Sequence, residues 1–447
     1  MSITTSIATV LFATQLMQAP PPAPTSGASI TQQRAAVAKS ERLMAEALKR
    51  PGILSEYLYM REARQRDPDV AFRLIFNQYL SWFQTWVGDY AGSRTTFSIA
   101  QPPEKGDSAA PMDTGYKQTP ALDAIVALAK DRQAIFLNEN HNIALTRTLT
   151  VQLLSKLREA GYDTFAAETL YHDDENLAKR GYPNADTGFY TQEPIYAEMV
   201  RTALKLGYRV VAYESESMAT GDAREREQAR NLYQRVYDKQ HPKARLVVNA
   251  GFTHIQKAGK YFDGAAMAQH FSTLSGIEPI SVEQTVMIPH DIITGDHPVY
   301  RRIAQEVQFD APIVFRNDAG ALWSLRPQAF DVSVVFPAEV YRRGRPTWAT
   351  IGDLRVPYAI TGDLCKQTYP CLVEARYADE GEDAIPADRL VFELNSNMGD
   401  AKDRVRTSSD PVPASDFYLR PGRYRIVARD ASNRQLGSTI NTVGGSP

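Results

Sequence analysis

The strongest constraint on this chain is an alternation between about residues 121 and 340, where short β-prone runs are separated by longer helical ones. The β-prone runs are Ala134–Asn138, Thr164–Ala167, Arg209–Tyr213, Arg245–Ala250 and Val332–Phe336. Between the first two, Leu145, Leu149, Leu153 and Leu157 recur every fourth residue and mark one helical face, which stops at Gly161. A helix around Ile195–Leu206 stops at Gly207, and Asp222–Lys239 follows as a strongly charged, partly solvated helix. Strand and helix in alternation predict right-handed crossovers and a mainly parallel sheet flanked by helices.

The chain has 447 residues, which at roughly 150 per domain leaves room for segments on either side of this unit. Residues 31–92 read as helix, broken at Pro51-Gly52. Within them Phe72, Phe76, Tyr79, Phe83, Trp86 and Tyr90 step by four and three, an aromatic stripe expected to pack against the next domain. Gly92–Pro120 is rich in Pro, Gly, Ser and Thr and reads as linker. Beyond about residue 355, runs such as Cys371–Tyr377, Arg389–Leu394 and Arg423–Ala428 suggest a small all-β, sandwich-like domain. The expected divisions are therefore 1–24, an export signal and linker; 25–120, the helical segment; 121–354, the α/β domain; and 355–447, the β domain.

Ile7 to Ala19 is apolar and leads into a Pro/Ala-rich stretch, the pattern of an export signal and its cleavage zone, although no Lys or Arg precedes it. The expected location is periplasmic or secreted. The two cysteines, Cys365 and Cys371, fit one disulfide in such a compartment. Lys and Arg number 50 against 52 Asp and Glu, a net charge of −2, so no global field draws in nucleic acid. No apolar run in the mature chain is long enough to span a membrane. The expected partner is a small-molecule or peptide substrate.

Open parallel sheets bind ligands beyond the carboxyl ends of their strands. Just past those ends this chain places Glu139 and His141, then Glu168, then Glu214, then His254. One Glu after a strand is often a helix cap, and a lone His is usually a satisfied or surface residue. That reading applies to His241, His270, His290 and His297. Four strand ends in agreement weaken it, because converging carboxylates and imidazoles are costly to desolvate unless they pair or hold a ligand. There is no Gly-x-Ser-x-Gly, Walker-type loop, Gly-x-Gly-x-x-Gly or His-Glu-x-x-His. Water is therefore the expected nucleophile.

The segments Phe136-Leu137-Asn138-Glu139-Asn140-His141, Ala166-Ala167-Glu168, Arg226-Glu227-Gln228-Ala229-Arg230-Asn231 and Val247–Ile255 resemble, in order and spacing, the erythromycin esterase / ChaN-like / Tiki superfamily over about residues 121–350. Phe330-Asp331 through Phe336 and Gly344–Trp348 resemble its last strand and exit. Asn138 stands where Gly is usual, and Gly251 replaces the first His of the esterase branch's His-Asn-x-His ending. Arg147, on the helix after His141, is a candidate for the family's active-site Arg.

The resemblance implies three readings. In the first, a hydrolase of ester, lactone or amide bonds, His141 is the general base, Glu139 or Glu168 orients it, and His254 with Arg147 steadies the oxyanion. In the second, a Tiki-like peptidase, His141, His254 and a carboxylate (Glu139, Glu168 or Glu214) hold a divalent metal, Mn or Zn. In the third, of ChaN type, the chain binds haem or a similar ligand through His172 with Tyr171 or Tyr213. The loop Tyr171–Glu193 is long enough to be a lid.

Overall fold

A computed structural model describes residues 30–393 and 413–444. The expected export segment lies outside the described residues. The chain begins with α1 (Ile30–Ala47), α2 (Ile53–Arg66), α3 (Val70–Trp86) and α4 (Tyr90–Thr96). The predicted break at Pro51-Gly52 is present. Two further breaks follow Arg66 and Trp86, and Asp69 and Asp89 cap the next helices by accepting from Phe72 and Gly92 N–H groups. Tyr90 therefore sits on α4 rather than on the stripe's own helix. Gly92–Pro120 is not a free linker: it contains most of α4, and β1 (Lys117–Pro120) at its end pairs antiparallel with Ile313–Arg316.

The alternation continues through α5 (Ala121–Ala129), β2 (Ala134–Glu139), α6 (Leu145–Glu159), β3 (Thr164–Ala167), α7 (Pro194–Lys205), β4 (Arg209–Ala212), α8 (Asp222–Val236), β5 (Leu246–Gly251), α9 (Met267–Ser275), β6 (Ile280–Glu283), α10 (Pro298–Glu306), β7 (Ile313–Arg316) and β8 (Val332–Ser333). Six strands form one parallel sheet in the order β4-β3-β5-β2-β6-β8. The sequence missed β6, and β8 is shorter than the Val332–Phe336 run suggested.

The sheet is buried on both faces, as its continuous apolar runs require. Ile135, Leu137, Phe165 and Val247 face a core shared with α6 and α1–α3, while Phe136, Ala166, Leu246 and Val248 face α8 and α9. The stripe residues Phe72, Phe76, Tyr79, Phe83, Trp86 and Tyr90 are buried in that core; Trp86 meets Phe189 edge-on at 5.1 Å, and Trp82, outside the stripe, meets the same ring at 5.5 Å.

The C-terminal region is antiparallel. It comprises β9 (Val356–Thr361), β10 (Cys371–Tyr377), β11 (Asp388–Phe392), β12 (Ala414–Leu419), β13 (Gly422–Arg429) and β14 (Gln435–Val443). Four of these strands pair in the order β11-β10-β13-β14 and two as β9-β12, around a separate apolar core containing the Cys365–Cys371 disulfide. Buried ion pairs fasten it to α7: Glu198 receives Arg355 at 3.1 Å and also Arg420, and Arg201 grips Glu380 at 2.6 Å. Among the described residues no helix is long and apolar enough to cross a membrane.

Candidate active site

The carboxyl ends of β2, β5, β3 and β4 are neighbours in the sheet, so residues that follow them in sequence converge in space. Glu139, His141, Glu168, Glu214 and His254 are each 5% exposed or less. They form two linked clusters.

The first is centred on Glu139, the last residue of β2. Its Oε1 accepts from His141 Nδ1 at 2.9 Å and from Arg147 Nη2 at 3.0 Å, and Arg147 Nε grips Oε2. Burial works to raise this carboxyl, but Arg147 and His141 hold it below the usual carboxylate range. An ionised Glu139 fixes the His141 tautomer with the proton on Nδ1 and leaves Nε2 as the basic nitrogen. That Nε2 has no hydrogen-bond partner among the described residues. The ring is sandwiched: Tyr190 stacks on it at 4.2 Å, and Phe252 meets it edge-on at 5.0 Å.

Gly251 explains how the imidazole fits. A Cβ there would stand 2.2 Å from His141 Cε1 and 2.4 Å from Nε2. The missing side chain of Gly251 makes room for the ring.

The second cluster is centred on Glu168, directly after β3. It accepts from Arg224 Nη2 at 3.2 Å and from the Gly251 N–H, and His254 Nε2 lies 3.5 Å away. Burial again opposes ionisation, yet His254, His141, Arg224 and the Gly251 N–H together hold the carboxyl at about 2. His254 Nδ1 bonds Glu225 at 2.7 Å. Burial tends to lower this imidazole's pKa, but Glu225 and Glu168 outweigh it and raise it, favouring the cation. Glu214 is held by Arg224 at 2.9 and 3.1 Å and by Gln228 at 2.8 Å.

Strain marks the same edge. Thr169 and Phe252, which follow Glu168 and Gly251, adopt φ of 62° and 43°. Non-glycine residues pay for that conformation, which concentrates at functional sites. Thr169 holds the next segment, its carbonyl accepting from Phe189 N–H at 3.2 Å. The end of the loop Tyr171–Glu193 is buried from Thr187 to Thr191 and at Glu193, and forms the wall bearing Tyr190, while most of residues 172–179 are exposed.

All three guanidinium nitrogens of Arg147 are spent on protein acceptors, Nε on Glu139. Its Nη1 reaches Glu193 at 3.0 Å, its Nη2 also bonds the His141 carbonyl at 2.8 Å, and it acts on the imidazole through Glu139. His172 is exposed, Tyr213 is fully buried, and of the expected haem ligands only Tyr171 lines a cavity of about 880 Å³ beside β10 and β11. These placements do not bring the three together. Both site imidazoles spend Nδ1 on carboxylates, which leaves Nε2 as the nitrogen of each that could take a further partner; among the described residues no three His, Cys, Asp or Glu side chains converge as a metal site. The other histidines each have an aspartate partner: Asp238 for His241, Asp222 for His270, Asp296 for His290 and Asp107 for His297.

Sequence reasoning missed Arg224, Glu225, Glu193 and Tyr190. Helix α8 is not simply solvated: Arg224, Gln228 and Asn231 are buried at steps of four and three, beside Ala229, Leu232 and Val236. That polar stripe within an apolar one was the available signal. Glu193 precedes Pro194 and caps α7 through the Ile195 and Tyr196 N–H groups, both at 2.7 Å; its grip on Arg147 had no local signal.

Fold and site together define an α/β protein with a buried cluster of carboxylates, imidazoles and arginines at the carboxyl edge of a parallel sheet. No family model and no curated protein matches the chain. Distant similarity to solved structures exists. The type III effector HopBA1 aligns with TM-score 0.30 and 13% identity over 53% of this chain and 96% of that one. A bacterial protein toxin aligns with TM-score 0.29 and 16% identity over 55% and 56%. RRSP, a MARTX toxin effector domain from Vibrio vulnificus CMCP6, aligns with TM-score 0.28 and 16% identity over 63% and 60%. The chain spans less than two thirds of the latter two, and similarity this remote does not bear on chemistry.

Proposed function

We propose that this protein is a hydrolase in which His141 activates water against an ester, lactone or amide carbonyl, in the manner of the erythromycin esterase branch it resembles. The observation that carries the reading is the Arg147–Glu139–His141 chain, which fixes one imidazole nitrogen and leaves the other free over Gly251. His141 Nε2 takes the proton as water attacks, and Glu139 stabilises the imidazolium that forms. His254, kept cationic between Glu225 and Glu168, faces the developing oxyanion. Arg147 and Arg224 are positioning residues, each bridging two carboxylates.

The test is a panel of esters, lactones, amides and peptides, run with EDTA and with added Mn²⁺ or Zn²⁺. EDTA-resistant turnover that falls about 10²-fold or more in Glu139→Gln, with KM little changed, is the expected result. Turnover abolished by EDTA and restored by metal would move the reading to the metal-dependent peptidase. A Soret band on haem titration, without turnover, would move it to the haem-binding protein.

A further inference from the structure

Tyr190 is 1% exposed, and its ring lies parallel to His141 with centroids 4.2 Å apart. Its hydroxyl makes no hydrogen bond with any described residue. By contrast, the buried phenols of Tyr90 and Tyr196 are satisfied: Tyr90 donates to Glu193 Oε1 at 2.6 Å, and Tyr196 donates to the Glu168 carbonyl. Tyr190 is held in place from β3. Thr169, the strained residue directly after Glu168, takes the Phe189 N–H on its carbonyl at 3.2 Å and the Tyr190 N–H on its hydroxyl at 3.3 Å. Trp82 closes on the ring from the side at 6.2 Å.

A buried donor without an acceptor bears the full cost of its lost hydration, and a group that native structures leave in that state calls for an explanation. The hydroxyl senses both clusters of the site. Burial pushes this phenol well above its ordinary pKa, Glu168 and Glu139 push it further, and Arg224 and Arg147 oppose them. It therefore keeps its proton at neutral pH and is a neutral donor beside the free nitrogen of His141. An acceptor brought in by the substrate would complete it.

Resting on the hydrolase reading above, we propose that Tyr190 is a further catalytic residue, whose hydroxyl donates to the substrate's carbonyl oxygen as that oxygen becomes an oxyanion. The water oxygen forms the new bond to the carbonyl carbon, its proton passes to His141 Nε2, and the carbonyl π pair moves onto the oxygen that accepts from Tyr190. The phenol lends a hydrogen bond and keeps its own proton. When the tetrahedral species collapses, the bond to the leaving group breaks and His141 returns the proton to that group. Tyr190 thus adds a neutral donor to the cation of His254.

Tyr190→Phe tests this, because it keeps the stacked ring and removes only the hydroxyl. Steady-state kinetics on the member of the panel that the wild type cleaves fastest should show kcat lower by about 10²–10³ with KM nearly unchanged. The melting temperature should stay at or above wild type, since the lost hydroxyl bonds no described residue. Wild-type kcat in Tyr190→Phe, with Glu139→Gln slowed, would overturn this proposal and leave the hydrolase reading standing. No wild-type turnover of any panel member, or an unimpaired Glu139→Gln, would overturn that reading and this proposal with it. A melting temperature below wild type in Tyr190→Phe would show that the hydroxyl is already satisfied inside the protein, and would overturn the proposal without reference to any substrate.

Discussion

Gly251→Ala probes the packing of the candidate site with a single methyl group. Gly251 ends β5, and its φ lies outside the left-handed region, so alanine adds no backbone strain. Alanine would even stabilise by about 0.4–1 kcal/mol through the unfolded chain. The cost comes from contact. The new Cβ stands 2.2 Å from His141 Cε1, 2.4 Å from Nε2 and 3.0 Å from Glu168 Oε2, so the nearest contact is about 1.3–1.8 Å short of van der Waals separation. The ring has little room to retreat, because Tyr190 stacks on it and Nδ1 is tethered to Glu139. Overpacking of this kind costs about 1–3 kcal/mol, and a misplacement of about 1 Å at a reacting group costs on the order of 10² in rate. The expected variant is folded, modestly less heat-stable, and about 10²-fold slower on whichever substrate the wild type cleaves. Wild-type kcat together with a wild-type melting temperature would show that His141 does not lie over Gly251, and the site geometry would fall with it.

Three other outcomes follow from the buried charges and the disulfide. Arg224→Met leaves Glu168 and Glu214 without their shared cation, and denaturant titration should show a loss of about 3–5 kcal/mol. Glu168, held at about 2, contributes stability that is full above its ordinary value near 4.5 and is lost as pH falls towards 2; Glu168→Gln should make the dependence of unfolding free energy on pH shallower across that window. His254, whose pKa is raised above 6.5, contributes in the opposite sense, with stability lost as pH rises through its folded value. Reducing Cys365–Cys371, which are six residues apart, should cost the β domain about 2 kcal/mol, read as a lower melting temperature in dithiothreitol.

The sheet was legible because β2, β3, β4 and β5 carry continuous apolar runs punctuated by glycine at Gly161 and Gly207, and the strand-end rule led from there to Glu139, Glu168, Glu214 and His254. Strand β6 escaped because Ile280–Glu283 is four residues long and ends in a Glu whose partners, Asn138 and Thr285, come partly from another strand. Helix α8 was misjudged because charge suggested solvent, whereas Arg224 and Glu225 are buried against carboxylate and imidazole partners delivered by β3, β4 and β5. Glu193 was invisible for a related reason: its partner Arg147 is 46 residues away, and only the fold reveals the pairing. The short-range half of each site interaction is written in the local sequence, and the long-range half is written in the topology.

The most direct measurement of the central claim is the steady-state kinetics of His141→Ala on a substrate the wild-type protein turns over. The account predicts kcat lower by about 10²–10⁴ with KM nearly unchanged. Full activity in that variant would contradict it, because the other imidazole at this sheet edge, His254, lies between the carboxylates of Glu225 and Glu168 and is kept cationic there.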